Sequence, residues 1–142
     1  MPRNVSSSHT RCELQMVEML QHWGYDGFIT PPISRIIIKG REWPVEPDIL
    51  FRLQKVCIFV HGRFWHAPSK RKSRKLRMKK DAAKEELLIL NGYIVLTFWD
   101  DDVELAWRHI MKKKFLKKEK EEKARATYKN IKYVVDCALK GK

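Results

Sequence analysis

Residues Glu46 to His66 read EPDILFRLQKVCIFVHGRFWH. Two apolar segments, Ile49–Leu53 and Lys55–Val60, have the length and β-branched and aromatic content of strands, with a tight connection near Leu53–Gln54. Asp48 enters the first strand directly after Pro47. His61, Gly62, Arg63, Phe64, Trp65 and His66 leave the second. Antiparallel strands joined by a short turn set the start of one beside the end of the other. Asp48 and His61 are therefore expected at one sheet end, where a carboxylate, two imidazoles and two large aromatics converge. Such a concentration of polar chemistry is the make-up of a site rather than of a core.

Outward from this stretch, helices and strands alternate. Arg11–Trp23 has helical spacing (Leu14 with Val17, Met16 with Leu20) and stops at Gly24. Glu13 falls on the inward stripe of that helix. A first-turn acid serves the helix dipole in the simplest reading, so dipole partner and site residue are both open at this point. Ile33–Lys39 is expected as a strand and Gly40–Pro47 as a loop. Met78–Leu90 is expected as a helix with Ala83, Leu87 and Leu90 inward, stopped by Asn91-Gly92. Tyr93–Trp99 is almost wholly apolar, as in a strand covered on both faces. Asp100, Asp101 and Asp102 then open a helix to about Phe115, with Val103, Ala106, Trp107 and Ile110 inward. Three consecutive acids could suggest a metal cluster, but caps and dipole partners explain them more simply. Lys112–Arg125 reads as exposed and mixed in charge, and a last short helix carries Tyr128, Ile131, Val134, Val135 and Ala138.

The order α-β-β-β-α-β-α-α is that of an α/β domain: a mixed sheet with helices on its faces, built on a three-strand meander and a fourth strand delivered by a crossover helix. One domain over residues 1–142 is expected, with an arm at 1–10, a core at 11–116 and a basic extension with a helix at 117–142.

Thirty Lys plus Arg against 17 Asp plus Glu give a net charge of +13, which points to a polyanionic partner. The excess is densest at Lys70, Arg71, Lys72, Arg74, Lys75, Arg77, Lys79 and Lys80. A run like this is often a solvated loop, but next to the convergent site it suits phosphate contact. Three cysteines, Cys12, Cys57 and Cys137, are far apart and odd in number, which argues against a disulfide framework. With no long apolar run and no leader-like start, an intracellular protein with no membrane partner is expected.

A Pro-Asp at a strand start and a second strand ending in VHGRFWH resemble the very-short-patch-repair (Vsr-type) endonucleases of the PD-(D/E)XK superfamily. The likeness runs from about Arg11 to Trp99. It rests on Glu13 eleven residues before Gly24, on His61 and His66 flanking Gly-x-Phe-Trp, and on Asp81 eleven residues before Gly92 with Trp99-Asp100 behind. The resemblance implies a restriction-endonuclease-like αβββαβ core and a metal-dependent DNA endonuclease, nicking or cutting both strands, in DNA repair or homing. The homing endonucleases of the E-D-x-H-D type fall within the likeness. By the same resemblance Asp48 is the metal-binding carboxylate and His61 the first active-site histidine. His66 is the second histidine, paired with Asp81, and Glu13 supports the site through metal-bound water. Phe64 and Trp65 are the aromatics that wedge into the base stack of double-stranded DNA. Core packing is their commoner fate elsewhere, but a strand exit between basic residues favours DNA.

The implied cofactor is Mg²⁺, a hard cation that takes oxygen ligands, here Asp48 and the Val60 carbonyl. Arg63 stands between Gly62 and Phe64, and no His or Cys cluster follows His66, so no structural zinc is expected. Lysine, usual in the superfamily's second strand, is missing, which leaves histidine to do its work. A competing reading is a basic nucleic-acid-binding module that keeps the fold without catalysis. A Holliday-junction resolvase would share the superfamily but not the Phe-Trp-His segment.

Overall fold

A computed structural model describes residues 11–31, 34–38, 41–42, 45–62, 72–111 and 117–140; at 37–38, 41–42, 72–78, 80 and 81 it describes the backbone alone. The described elements are α1 (Arg11–His22), β1 (Ile37–Ile38), β2 (Arg41–Glu42), β3 (Ile49–Phe51), β4 (Val56–His61), α2 (Lys72–Leu90), β5 (Ile94–Trp99), α3 (Asp100–Met111) and α4 (Lys118–Lys140). They belong to the α/β class, with a three-stranded sheet and the helix order of a small restriction-endonuclease-like core. Two compact units divide the chain: Gly27–Thr97, and Met1–Asp26 with Phe98–Lys142.

In the Gly27–Thr97 unit the sheet order is β3-β4-β5. β3 and β4 pair antiparallel, with Ile49 opposite Ile58, Leu50 opposite Cys57 and Phe51 opposite Val56. The connection spans Arg52–Lys55, closed by the Lys55 N–H on the Arg52 carbonyl at 3.3 Å. Ile49, Leu50, Phe51, Val56, Cys57 and Ile58 are all buried, so this hairpin is covered on both faces. Ile36, Val45, Leu50, Cys57 and Leu88 form one core cluster, with Ile29, Phe59, Tyr93 and Val95 packed against it. Burial pushes the Cys57 thiol up to about 12, as befits a small core residue rather than a reactive one. After α2, the Ile94 N–H donates to the Lys55 carbonyl at 2.8 Å. That bond joins the start of β5 to the start of β4, so α2 runs back along the sheet as a crossover helix.

Several sequence expectations are corrected here. Of the expected strand Ile33–Lys39, the described residues form only the two-residue strand Ile37–Ile38, which pairs with Arg41–Glu42 in a two-stranded ribbon rather than with the three-stranded sheet. Ile29 bridges Leu50 beside β3 instead. α2 begins at Lys72 rather than Met78, because lysine and arginine are good helix formers even in a charged run. Among its described side chains the buried one is Leu88, not Ala83, Leu87 or Leu90; Leu90 is 75% exposed. β5 is not covered on both faces. It sits at the sheet edge, and of its residues only Phe98 is buried.

In the other unit α3 packs against α1 and α4. α1 buries Glu13, Gln15, Met16, Met19 and Leu20, whereas Leu14 is 56% exposed. It ends where the Tyr25 N–H reaches the Leu20 carbonyl and the Gly24 N–H reaches the Gln21 carbonyl. These two bonds form a Schellman motif, and Gly24 at φ +88° supplies its left-handed residue. α3 buries Val103 and Ala106 as expected, and the Asp100 carboxylate accepts from the Asp101 N–H at 2.7 Å. α4 is one 23-residue helix, so the mixed-charge run from Lys118 is helical, and among its described residues to Arg125 all but Ala124 are exposed, as expected. Glu119 and Lys123, like Glu121 and Arg125, stand four residues apart, a spacing that supports a helix. Its buried residues are Ala124, Ile131 and Val135.

Polar contacts fix α4 as well. The Trp23 Nε1–H donates to the Tyr128 hydroxyl at 2.9 Å, and His109 lies against the Tyr128 ring. The Tyr25 hydroxyl donates to Asp136, which also pairs with Lys132 at 2.8 Å. Burial, then the hydrogen bond to Asp136, pushes the Tyr25 phenol up to about 12. Burial would raise the Asp136 carboxyl, but hydrogen bonds from Lys132 and Tyr25 outweigh it and hold it below the usual range. Folding thus favours the neutral phenol and the ionised carboxylate. The phenol's contribution is whole below pH 10 and fades as the pH rises towards 12. The carboxylate's is whole above its ordinary value of 3.8 and is lost as the pH falls through its lowered one. Tyr25→Phe is expected to cost about 1 kcal/mol at neutral pH and to flatten the alkaline arm of stability. Urea unfolding across the pH range checks both.

Candidate active site

The centre of the candidate site is the corner where β3 begins and β4 ends. The Val60 N–H donates to Asp48 Oδ2 at 2.7 Å. Register alone would set Asp48 beside Phe59, one step before the Ile49–Ile58 pair; the hydrogen bond then fixes the carboxylate against the exit of β4. Pro47 and Ser34 hold the other side of this entry, since the Ser34 hydroxyl donates to the Pro47 carbonyl at 2.7 Å within buried surroundings. Asp48 is half-buried, Val60 is buried, and His61 follows half-buried. The expected convergence of Asp48 and His61 at one sheet end is thus present in the strands that carry them.

His61 is held from two directions. Its ring stacks on Phe59, two residues earlier on the same strand face, with centroids 5.9 Å apart and planes 16° from parallel. Its Nε2 lies 3.5 Å from Glu85 Oε2 on α2. Sequence reading did not single out Glu85. It follows Asp81 by four residues and precedes Leu88 by three, so all three share one helical stripe. An inward stripe drawn through Ala83, Leu87 and Leu90 is rotated off that one and passes over both acids. The signal that would have found Glu85 is the alternative phase of the sequence pattern, the one that runs through Leu88.

The remaining candidates divide by where they lie. Glu13 is 9% exposed on α1, in the unit that does not carry Asp48. Asp81, Lys72, Arg74, Lys75 and Arg77 lie on α2, and only their backbone is described. Arg63, Phe64, Trp65, His66, Lys70 and Arg71 lie outside the described residues. Among the described residues no three His, Cys, Asp or Glu side chains converge as metal ligands, and no helix is long and apolar enough to cross a membrane. A groove lined by α3 and α4, with Asp102, Glu104, Arg108, Lys120 and Lys123 on its walls, contains none of the candidate catalytic residues.

The corner can do definite chemistry. A carboxylate pinned by a backbone N–H and a backbone carbonyl of the same strand are hard oxygen donors. The imidazole beside them can donate or accept a hydrogen bond. No protein-family model matches the chain. It is similar to two curated proteins. One is the type II nicking enzyme V.XorIIP of Xanthomonas oryzae pv. oryzae, at 29% identity over 68% of this chain and 74% of that protein. The other is the type II nicking enzyme V.HpaIIP of Haemophilus parainfluenzae, at 32% identity over 40% of this chain and 50% of that protein.

Proposed function

We propose that this chain is a metal-dependent DNA endonuclease that nicks duplex DNA. The observation that carries the reading is the corner itself: a carboxylate fixed on the neighbouring strand's N–H, with a doubly held histidine directly after it. The similarity to two nicking enzymes supports the reaction class and favours a single-strand cut. The net charge of +13 supports a polyanionic substrate.

Mg²⁺ suits the donors at this corner, because the Asp48 carboxylate and the Val60 carbonyl are the oxygen ligands such a cation prefers. When bound, the ion supplies positive charge against the phosphate and makes water a better nucleophile. The chain's own groups do the rest. Asp48 sets the position of the charge at the strand end. His61, between Phe59 and Glu85, accepts a hydrogen bond from water at the site. His66 and Asp81 keep the roles that the Vsr resemblance assigns them, a base and the carboxylate that orients it. Glu13 keeps its supporting role, Phe64 and Trp65 wedge into the stack, and the basic residues from Arg63 to Arg77 hold phosphates.

The test is incubation of supercoiled plasmids carrying a randomised insert with Mg²⁺, with EDTA as the control. Open-circular product that needs the metal is expected. DNA binding without any conversion would overturn the enzymatic reading and leave a binding module. Binding itself should weaken by about 10³–10⁵ between roughly 50 and 200 mM salt if ~6–10 phosphates are contacted.

A further inference from the structure

The geometry points to Glu85 as the positioning residue of the reaction: it fixes the ring orientation and tautomer of His61. This inference rests on the nuclease reading above and adds to it a residue that neither the motif likeness nor the similar proteins assign.

The argument begins with register. β4 advances roughly 6.6 Å for every two residues, and α2 rises about 5.4 Å per turn. The helix runs against the strand, because it leaves the end of β4 and delivers β5 to its start. At the lower level, Leu88 of α2 belongs to the core cluster with Cys57, and Phe59 packs against that cluster. One level up, the strand offers His61 and the helix offers Glu85, and the two meet at 3.5 Å. The apolar pair below therefore sets the height of the polar pair above. A further turn along α2 the backbone reaches Asp81.

Next is what the pair can do. A carboxylate opposite Nε2 favours the proton on that nitrogen and places the lone pair on Nδ1. Stacking on Phe59 removes the ring's freedom to turn about its own axis. The imidazole is thus limited in orientation by an aromatic face and in tautomer by a carboxylate. Precise placement of a catalytic imidazole is worth orders of magnitude in rate. The separation of 3.5 Å is longer than a formed hydrogen bond, as is common at catalytic pairs before substrate closes the site. The side chains are 17% and 31% exposed. A contact this long between partly exposed groups contributes little to stability.

The experiment uses the full chain and three variants, Glu85→Gln, Glu85→Asp and Glu85→Leu, read in two ways. The first is steady-state nicking. Glu85→Leu should lose about 10–100-fold in kcat, the usual scale for a residue that orients a catalytic group. KM for the plasmid should stay within about twofold, and Glu85→Gln, which keeps an acceptor, should recover part of the loss. The second is the ¹⁵N spectrum of the His61 imidazole at one fixed pH, which reports the tautomer without any turnover. Glu85→Leu should shift the population between Nε2–H and Nδ1–H, and Glu85→Gln should restore it. Wild-type kcat in Glu85→Leu, or an unchanged tautomer, overturns the inference. If the wild-type protein itself fails to nick, the nuclease reading fails, and the spectrum still decides whether Glu85 sets the state of His61. If the leucine variant does not fold, the glutamine and aspartate variants carry both measurements.

Discussion

Asp48→Asn is expected to fold like the wild-type protein, to bind DNA at least as tightly, and to lose nicking by more than about a thousandfold. The asparagine side chain keeps a carbonyl oxygen, so the Val60 N–H that now donates to Asp48 Oδ2 at 2.7 Å retains an acceptor. What disappears is the negative charge. Loss of one group that stabilises charge in the transition state costs on the order of 10²–10³, and loss of the carboxylate that holds a metal costs more, because the ion itself is lost. Binding moves the other way, since a carboxylate beside the scissile phosphate repels it. Asp48→Ala separates the two roles of this residue. It removes the charge and the acceptor together, leaving a backbone donor at a buried position unsatisfied, at a cost of about 1–3 kcal/mol. The alanine variant should therefore melt earlier while the asparagine variant does not, and both should be inactive. Gel-shift binding, plasmid nicking and thermal melts on the two variants check the set. Nicking by Asp48→Asn at the wild-type rate would remove Asp48 from the active site.

The parts of the molecule legible in the sequence are those fixed by local rules. The hairpin from Ile49 to Val60 was readable because two short apolar runs, separated by a polar turn, leave one sensible pairing. That pairing alone places Asp48 at the exit of β4. Gly24 and Gly92 marked two helix ends because each stands at a left-handed position, φ +88° and +90°, where other residues are strained. What could not be read depended on partners distant in sequence. The run from Tyr93 to Trp99 looks like a central strand from its composition, yet the sheet order makes it an edge, and no local rule specifies an order. The phase of α2 depends on which single residue meets the Leu50–Cys57 pair. Leu87, Leu88 and Leu90 are equally apolar in sequence, and only packing selects Leu88. That one-residue choice also decided whether Glu85 came into view.

The choice can be tested directly. Leu88 is wholly buried, and Leu90, two positions on, is 75% exposed. Leu88→Ala removes contacts with Cys57 and the residues around it and leaves a cavity between helix and sheet. The expected cost is about 3 kcal/mol, within the ~2–5 kcal/mol range of buried leucine truncations, and the melting temperature should fall by roughly 10 °C. Leu90→Ala should change stability by less than about 0.5 kcal/mol. Leu88→Met, which conserves volume, should cost less than about 1.5 kcal/mol. Because Leu88 sets the level at which α2 lies on β4, its truncation should also loosen the approach of Glu85 to His61, lowering kcat well below the melting transition. The Leu90 variant should nick normally. Equal losses of stability in Leu88→Ala and Leu90→Ala would place a different stripe of α2 against the sheet, and with it remove the geometric basis for the Glu85–His61 pair.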